Sequence, residues 1–366
     1  MIGKLAKRII KKFMTIFGYS EYVSAVLLKE LKKDLFETNI NFQKKLWAYQ
    51  RGFFGRRINE YGLTDSNYKD YENDFHYYQL HPLNEYAKWI DDKLTFRYVL
   101  QSFSEYLPKY YFELRDGKVL KLMDCPVEFS SDRLSVVSLL EREKQLAVKP
   151  LADTGGRGFY KLATSGGNYL VNDQLMNAIE LKRFLVSLNR YLVTEYLASH
   201  ENIRKIWNEA PNTLRIMAVH NEGEDPVIVG AYIRFGTSST GTVDNINAGG
   251  IACGIDISNG RLYNPKRHEK NAWIDTPVHM DTKVKMEGDI PHWDMVIKKL
   301  VEICHYVPQL RYMSFDVIIT AKEFRIIEIN SHGDIYTMQI YYPLLQNKHV
   351  KYLFYKNNVK KVANQL

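Results

Sequence analysis

Cysteine is nearly absent. The 366-residue chain has three, Cys125, Cys253 and Cys304, with no C-x-x-C pair and no zinc spacing. That excludes a disulfide-stapled scaffold and a dithiol redox centre, and a low, odd count fits a reducing compartment, so a cytoplasmic location is expected. Long apolar runs are missing too. None reaches the roughly 18 residues that cross a bilayer. The phosphate-binding pattern GxxxxGK[ST] does not occur, which excludes a Walker A nucleotide site. No internal repeat and no long low-complexity segment is present. No nucleic-acid recognition motif is visible and the positive charge gathers in the first helix, so nucleic acid is not an expected partner.

What is present is ordinary for a globular chain, at 45% hydrophobic and 25% charged residues. The length exceeds a single core and implies two or three subdomains. Tyrosine and phenylalanine are abundant, at 26 and 17, and the formal charge of +8 calls for an acidic partner. Residues 1–19 set Ile2, Leu5, Ile9, Phe13, Ile16 and Phe17 at helical spacing against Lys4, Lys7, Arg8, Lys11 and Lys12. Such a helix either lies on an anionic membrane surface or packs its apolar face on the domain. Residues 22–84 read as helical and rich in aromatics.

The chemistry gathers at 312–334. Residues 315–320 and 324–330 are short β-branched runs, so they read as two strands joined by a turn at 321–323. Asp316 opens the first. Glu328 and Asn330 close the second on one face, so three oxygen donors converge at a sheet end and suit Mg²⁺. The plain alternative is three polar residues facing water. Upstream, Asp91 or Asp92 caps a helix towards Tyr106, with Lys93 in its first turn, where the helix dipole disfavours a cation. Residues 145–150 form a strand carrying Lys149. A turn with Gly155, Gly156, Arg157 and Gly158 follows, of the kind that covers phosphates with backbone N–H groups. After a strand at 168–172, Asp173 caps a helix through Leu175, Ile179 and Leu185. Residues 191–197 and the runs carrying Arg215 and Arg234 are strands, 241–254 is a polar Gly-rich stretch, and 291–306 is a helix.

In their order along the chain, Asp92-Lys93, Val148-Lys149-Pro150 with its Gly-rich turn, Glu195, Asn212-Thr213-Leu214-Arg215-Ile216, Arg234-Phe235-Gly236, Asp244-Asn245, Gly249-Gly250, Phe315-Asp316-Val317 and Glu328-Ile329-Asn330 resemble the sugar-transfer-associated ATP-grasp family, related to α-L-glutamate ligases. The resemblance covers roughly residues 83–335. It implies an α+β ATP-grasp fold, two α+β subdomains gripping ATP, here behind a helical, aromatic-rich N-terminal region. The division expected is 1–84 for that region, 85–124 for a pre-grasp segment, 125–200 for the lid and 201–366 for the subdomain with the metal site.

The resemblance also implies roles. Lys93 and Lys149 would bind nucleotide phosphates under a lid of Gly155, Gly156, Arg157 and Gly158. Glu195 and Leu197 would border the adenine, and Glu201 would reach the ribose. Arg215, with Arg157 and Arg234, would act on the transferring phosphoryl group. Asp316, Glu328 and Asn330 would hold Mg²⁺, and Arg234, Asp244, Asn245 and His332 would line the acceptor side. Thr194 replaces a second acid and Phe315 a commoner tryptophan. The expected activity is an ATP-dependent carboxylate–amine ligase working through an acyl phosphate. Its partners would be an acidic sugar or amino-acid carboxylate and an amine, in capsule or O-antigen polysaccharide synthesis, with residues 1–19 touching the inner membrane face. The rivals are a kinase that phosphorylates a sugar hydroxyl, with His279, His292 or His332 as base, and a non-catalytic nucleotide-binding protein at the membrane surface.

Overall fold

In the computed structural model the residues described are 14–16, 18–37, 39–151, 158–270 and 272–356. Most of the basic amphipathic stretch, and Gly155, Gly156 and Arg157 of the Gly-rich turn, lie outside them. β-branched and aromatic runs alternate with tight turns along the chain and build two antiparallel sheets. The first holds β1 (Tyr110–Arg115), β2 (Lys118–Lys121), β3 (Gln145–Pro150), β4 (Tyr160–Ser165), β5 (Asn168–Val171), β6 (Gln174–Met176) and β7 (Tyr191–Glu195). Their spatial order is β2-β1-β7-β3-β4-β5-β6. The second holds β8 (Leu214–Val219), β9 (Val227–Phe235), β10 (Ile251–Ile255), β11 (Leu262–Glu269), β12 (Ala272–Asp275), β13 (Tyr312–Ile319) and β14 (Phe324–Asn330). Its order is β12-β11-β10-β9-β8-β13-β14.

Each sheet has its own core. The helices Arg133–Glu143 and Ala178–Ser187 bury Leu139, Leu140, Leu181 and Leu185 against Leu146, Val148 and Leu162 of the first sheet. The helix Trp293–Tyr306 buries Val296, Leu300 and Ile303 against the second, where Ile216, Phe315 and Phe324 are fully buried. Each such side chain contributes about 1.5–3 kcal/mol by leaving water. Every residue of β13 is buried, so a charge within it needs partners.

Four sequence expectations shift. Asp316 does not open its strand: β13 begins at Tyr312 and places Asp316 in its interior. Asp173 caps no helix. Asn172 and Asp173 both take positive φ (46° and 65°) and turn β5 into β6, a two-residue hairpin turn of the primed kind. The helix starts later, at Ala178, where Asn177 and Glu180 form a capping box. The end of the Gly-rich 241–254 stretch is β10, an interior strand. The boundary expected at 124/125 cuts the first sheet, because β1 and β2 pair within it.

The N-terminal helical region is bound to the second sheet by buried side chains. Asn84 donates to the carbonyls of Tyr312 (2.6 Å) and Ser331 (3.0 Å) and accepts from the N–H of Arg311 (2.8 Å) and Tyr312 (3.1 Å). Gln339 exchanges two hydrogen bonds with the Glu72 backbone. Tyr77 donates to the Gly333 carbonyl at 2.5 Å, and its ring stacks on His332 at 4.2 Å. These bonds fix the 331–339 segment directly after β14.

Candidate active site

Strand pairing assembles the site. Asp316 of β13 stands opposite Glu328 of β14 on one side and Arg215 of β8 on the other. Directly opposed residues in a sheet share a face, so the three side chains form a row across three strands. Asn330, two residues beyond Glu328, lies on the same face and pairs with Ser314. Arg234 of β9 lies on the same face, two residues along from the Tyr232 that stands opposite Arg215. Asp316 is ion-paired with Arg215, whose Nη2 also donates to Oδ2 at 3.1 Å, and Arg234 Nη2 reaches the same oxygen at 3.3 Å. Asp244 accepts the Thr213 N–H at 2.7 Å and lies 3.5 Å from Arg234 Nε.

Three consecutive residues serve this row from the junction of the helices Lys88–Asp91 and Lys93–Val99. Asp91 accepts the Ser331 N–H (3.1 Å) and hydroxyl (2.8 Å), holding the chain beyond Asn330. Asp92 caps the helix through the N–H groups of Leu94 and Thr95. Lys93, in the position the helix dipole disfavours, is buried with Nζ 3.8 Å from Glu328 Oε1. Lys149 approaches from β3 of the first sheet, its Nζ 5.4 Å from the centre of the Tyr110 ring. The site therefore lies between the two sheets. Burial and the neighbouring Lys93 charge push the Lys149 ammonium down to about 7, against the pull of Glu328. Burial and Asp316 push the Glu328 carboxyl up, opposed by Lys93, Arg215 and Lys149. Both charged forms are under-compensated by their protein surroundings, a pattern that clusters at functional sites.

The donor set fits a hard cation. The Asp316 carboxylate already meets Arg215 and Arg234, so a cation would share it with them, and the Asn330 amide nitrogen donates to Ser314 O at 3.5 Å, leaving its oxygen for another partner. Among the described residues no three His, Cys, Asp or Glu side chains cluster for a metal. The set closes only with the amide oxygen and suits an ion that keeps waters or phosphate oxygens.

Other expected residues stand elsewhere. Glu195 accepts the Lys109 N–H at 3.2 Å, Leu197 is buried, and Glu201 is exposed on the short helix Glu201–Arg204. Neither Glu195 nor Glu201 has a hydrogen bond or ion pair with the charged row. Gly158 has φ +69°, and a Cβ there would meet Tyr191 Oη at 2.6 Å, so glycine is required where the chain returns from the Gly-rich turn. Asn245 caps the 3₁₀ turn Ile246–Ala248. His332 packs between Tyr77 and His81, and burial and the His81 charge push it down to about 3. In the sequence Asp91 reads only as an alternative cap, and Asp334 is not singled out. An acid immediately before the cap and a Gly-Asp three residues past Asn330 were the available signals.

The family model described as sugar-transfer associated ATP-grasp matches residues 73–351. No curated protein matches the chain. Among solved structures, the ATP-grasp ligase PsnB, complexed with a minimal precursor, is 11% identical with a TM-score of 0.35, covering 75% of this chain and 59% of its own. D-alanyl-alanine synthetase A from Vibrio cholerae is 11% identical with a TM-score of 0.42, covering 75% and 66%. N5-carboxyaminoimidazole synthetase from Staphylococcus aureus, complexed with ADP, is 10% identical with a TM-score of 0.38, covering 73% and 52%. The chain thus spans between about half and two thirds of each.

Proposed function

Because the chain belongs to the sugar-transfer-associated ATP-grasp family, we propose that it is an ATP-dependent carboxylate–amine ligase that forms an amide through an acyl phosphate. The observation that carries this reading is the under-compensated pair Lys149 and Glu328, with Lys93 Nζ 3.8 Å from Glu328 Oε1, beside the Asp316–Arg215–Arg234 row. Polyphosphate binding would restore the charge on Lys149 and relieve its repulsion with Lys93. Glu195 and Leu197 would border the adenine, Glu201 the ribose, and the 155–158 turn would close over the phosphates. Asp316, Glu328 and Asn330 would hold Mg²⁺, which neutralises charge on the phosphoryl oxygens when bound.

Arg215 would orient the γ-phosphoryl group for attack by the carboxylate, with Arg234 beside it. Asp316 and Asp244 hold both guanidiniums in place, so in this reading Asp244 supports Arg234 and leaves substrate contact to it. Closure of the first sheet on the second would keep water from the acyl phosphate. An acidic sugar or amino acid of a surface polysaccharide is the carboxylate we favour.

The kinase reading needs a free base. His279 is fully buried, bonded to Gly236 O at 2.8 Å and stacked on Trp207, and His332 packs against Tyr77, so these two histidines support it poorly. We assign a peripheral contact with the inner face of an anionic membrane to residues 1–19. A described feature favours it. On the helix Glu21–Glu37, Lys29, Lys32, Lys33 and Phe36 form one exposed stripe, while Asp34 turns inward and Glu30 pairs with Arg56. No helix among the described residues is long and apolar enough to cross a membrane.

The deciding experiment is ADP release with Mg-ATP over a panel of uronic acids and nucleotide-uronic acids, with and without amines. The ligase reading requires turnover that needs both, and a product lighter by one water than their sum. Turnover with a neutral sugar alone would replace it with the kinase.

A further inference from the structure

The site is short of a place for the amine. Lys93, Lys149, Arg215 and Arg234 take up its acids, and an amine arrives at neutral pH as an ammonium ion. Every acid around the row is engaged save one. Asp316 is paired with both arginines, Glu328 faces Lys93, and Asp244 is held by Thr213 N–H and Arg234. Asp91 holds Ser331, and Asp92 caps its helix. Asp334 is exposed and makes no ion pair among the described residues. Its one hydrogen bond accepts the Tyr336 N–H at 2.7 Å.

Asp334 is carried to the site by a close backbone contact. A Cβ on Gly333 would meet Ser314 Cβ at 2.4 Å and Arg215 Nη1 at 3.6 Å, so glycine lets the chain pass against Ser314, within van der Waals reach of the arginine. Tyr77 fixes the same residue through its carbonyl, and Arg57 sits 3.8 Å over the Tyr336 ring. The charges of Arg215 and Arg57 both reach Asp334, whereas Lys93 and Lys149 act on Glu328. The phosphate-binding lysines and Asp334 therefore lie at opposite ends of the row, with Arg215 between.

We propose that Asp334 is the carboxylate that receives the amine substrate as its ammonium ion and takes its first proton. The freed nitrogen lone pair forms the C–N bond at the acyl carbon. The C–O bond to phosphate breaks with its electron pair leaving on phosphate, and the second N–H proton passes to phosphate or solvent. The assignment rests on the ligase reading and names the amine end of the same site.

Hydroxylamine, largely uncharged at pH 7, separates the two. It traps an acyl phosphate without needing an ammonium receptor. With glucuronic acid as carboxylate, hydroxamate formation is compared with amide formation from ammonium chloride and L-alanine, in the full chain and in Asp334→Asn. Asparagine keeps the bond from Tyr336, and the residue is exposed, so folding should survive. The expected result is a fall of at least tenfold in the ratio of amine to hydroxylamine turnover, partly recovered in Asp334→Glu. An unchanged ratio, whether both rates fall together or neither does, overturns the assignment while leaving the ligase intact. A native protein that yields no hydroxamate and no amide overturns the ligase reading, and this one with it.

Discussion

Two clusters of charge lie inward in this molecule, and they carry opposite electrostatic signs of satisfaction. In the N-terminal helical region, Asp34 accepts from the N–H groups of Gly55 (2.8 Å) and Arg56 (3.1 Å) and from Tyr49 Oη (2.8 Å). Asp74 accepts from Phe54 N–H and Arg57 Nε, and Glu60 is ion-paired with Arg57. Burial alone would raise the Glu60 carboxyl, yet Arg57 and His268 overcome it and hold the group near 2. Between the sheets the balance runs the other way. Glu328 is pushed up and Lys149 down, so the protein disfavours both charges. Comparable burial thus yields a finished structural network in one place and an unfinished site in the other. The direction of the shift separates the two more sharply than burial or residue type.

Exchanging the damage would break that comparison. Glu328→Ala should cut Mg-dependent ATP turnover by about 10²–10³-fold, while its urea midpoint stays at or above that of the native chain, because an under-compensated charge has been removed. A midpoint that drops with activity would make Glu328 a structural residue. Asp34→Ala should do the reverse. It strands two buried N–H groups and the Tyr49 hydroxyl, which costs about 3 kcal/mol, and turnover per folded molecule should be unchanged. A stable Asp34→Ala protein would show that the N-terminal network is not what the pairing implies.

How much of this was legible in the sequence follows the range of the interactions. The runs that became β8, β9, β13 and β14 announce themselves by apolar content, and period-two spacing alone puts Glu328 and Asn330 on one face. Lys93 was visible as a cation where a helix dipole resists one. The β5–β6 hairpin was missed because Asn172 and Asp173 read as a cap, and only their positive φ reveals the turn. The polar strand β11 offered no apolar alternation to find. The hold of Asn84 on Tyr312, 228 positions apart in the chain, leaves no local period at all. The same applies to Asp244, whose role as a support for Arg234 depends on a register that residues 213, 234 and 244 adopt only in the folded sheet.

Lys149 sharpens the comparison by a proton count. With its ammonium near 7 in the free protein, the group is mostly neutral at pH 8, and phosphate contact would return it towards its ordinary value near 10.4. Nucleotide binding at pH 8 should therefore take up about one proton, and much less at pH 6, where the lysine is already charged. Calorimetry in two buffers of different ionisation enthalpy measures this. Binding heats that do not depend on the buffer would remove Lys149 from the phosphate site.

The smallest expected effect concerns stability, where the linkage fixes the sign. The folded value of Lys149 lies below the unfolded one, so between about pH 7 and 10.5 the unfolded chain holds the proton that the native chain has lost, and stability rises with pH across that window. Below pH 7 the native protein bears the whole penalty of the buried ammonium beside Lys93. Lys149→Met removes the penalty, so its Tm at pH 6 should exceed the native value by a few degrees, with the difference vanishing towards pH 10, while nucleotide affinity falls. The N-terminal network gives the contrast. Glu60 is held near 2, below its unfolded value, so its contribution is present above about pH 4.5 and lost as pH falls towards 2. One substitution that stabilises and one that destabilises, each through a buried charge and each in its own pH window, would establish that the two clusters differ in kind. A Lys149→Met protein less stable than the native one at pH 6 would place Lys149 with the structural charges.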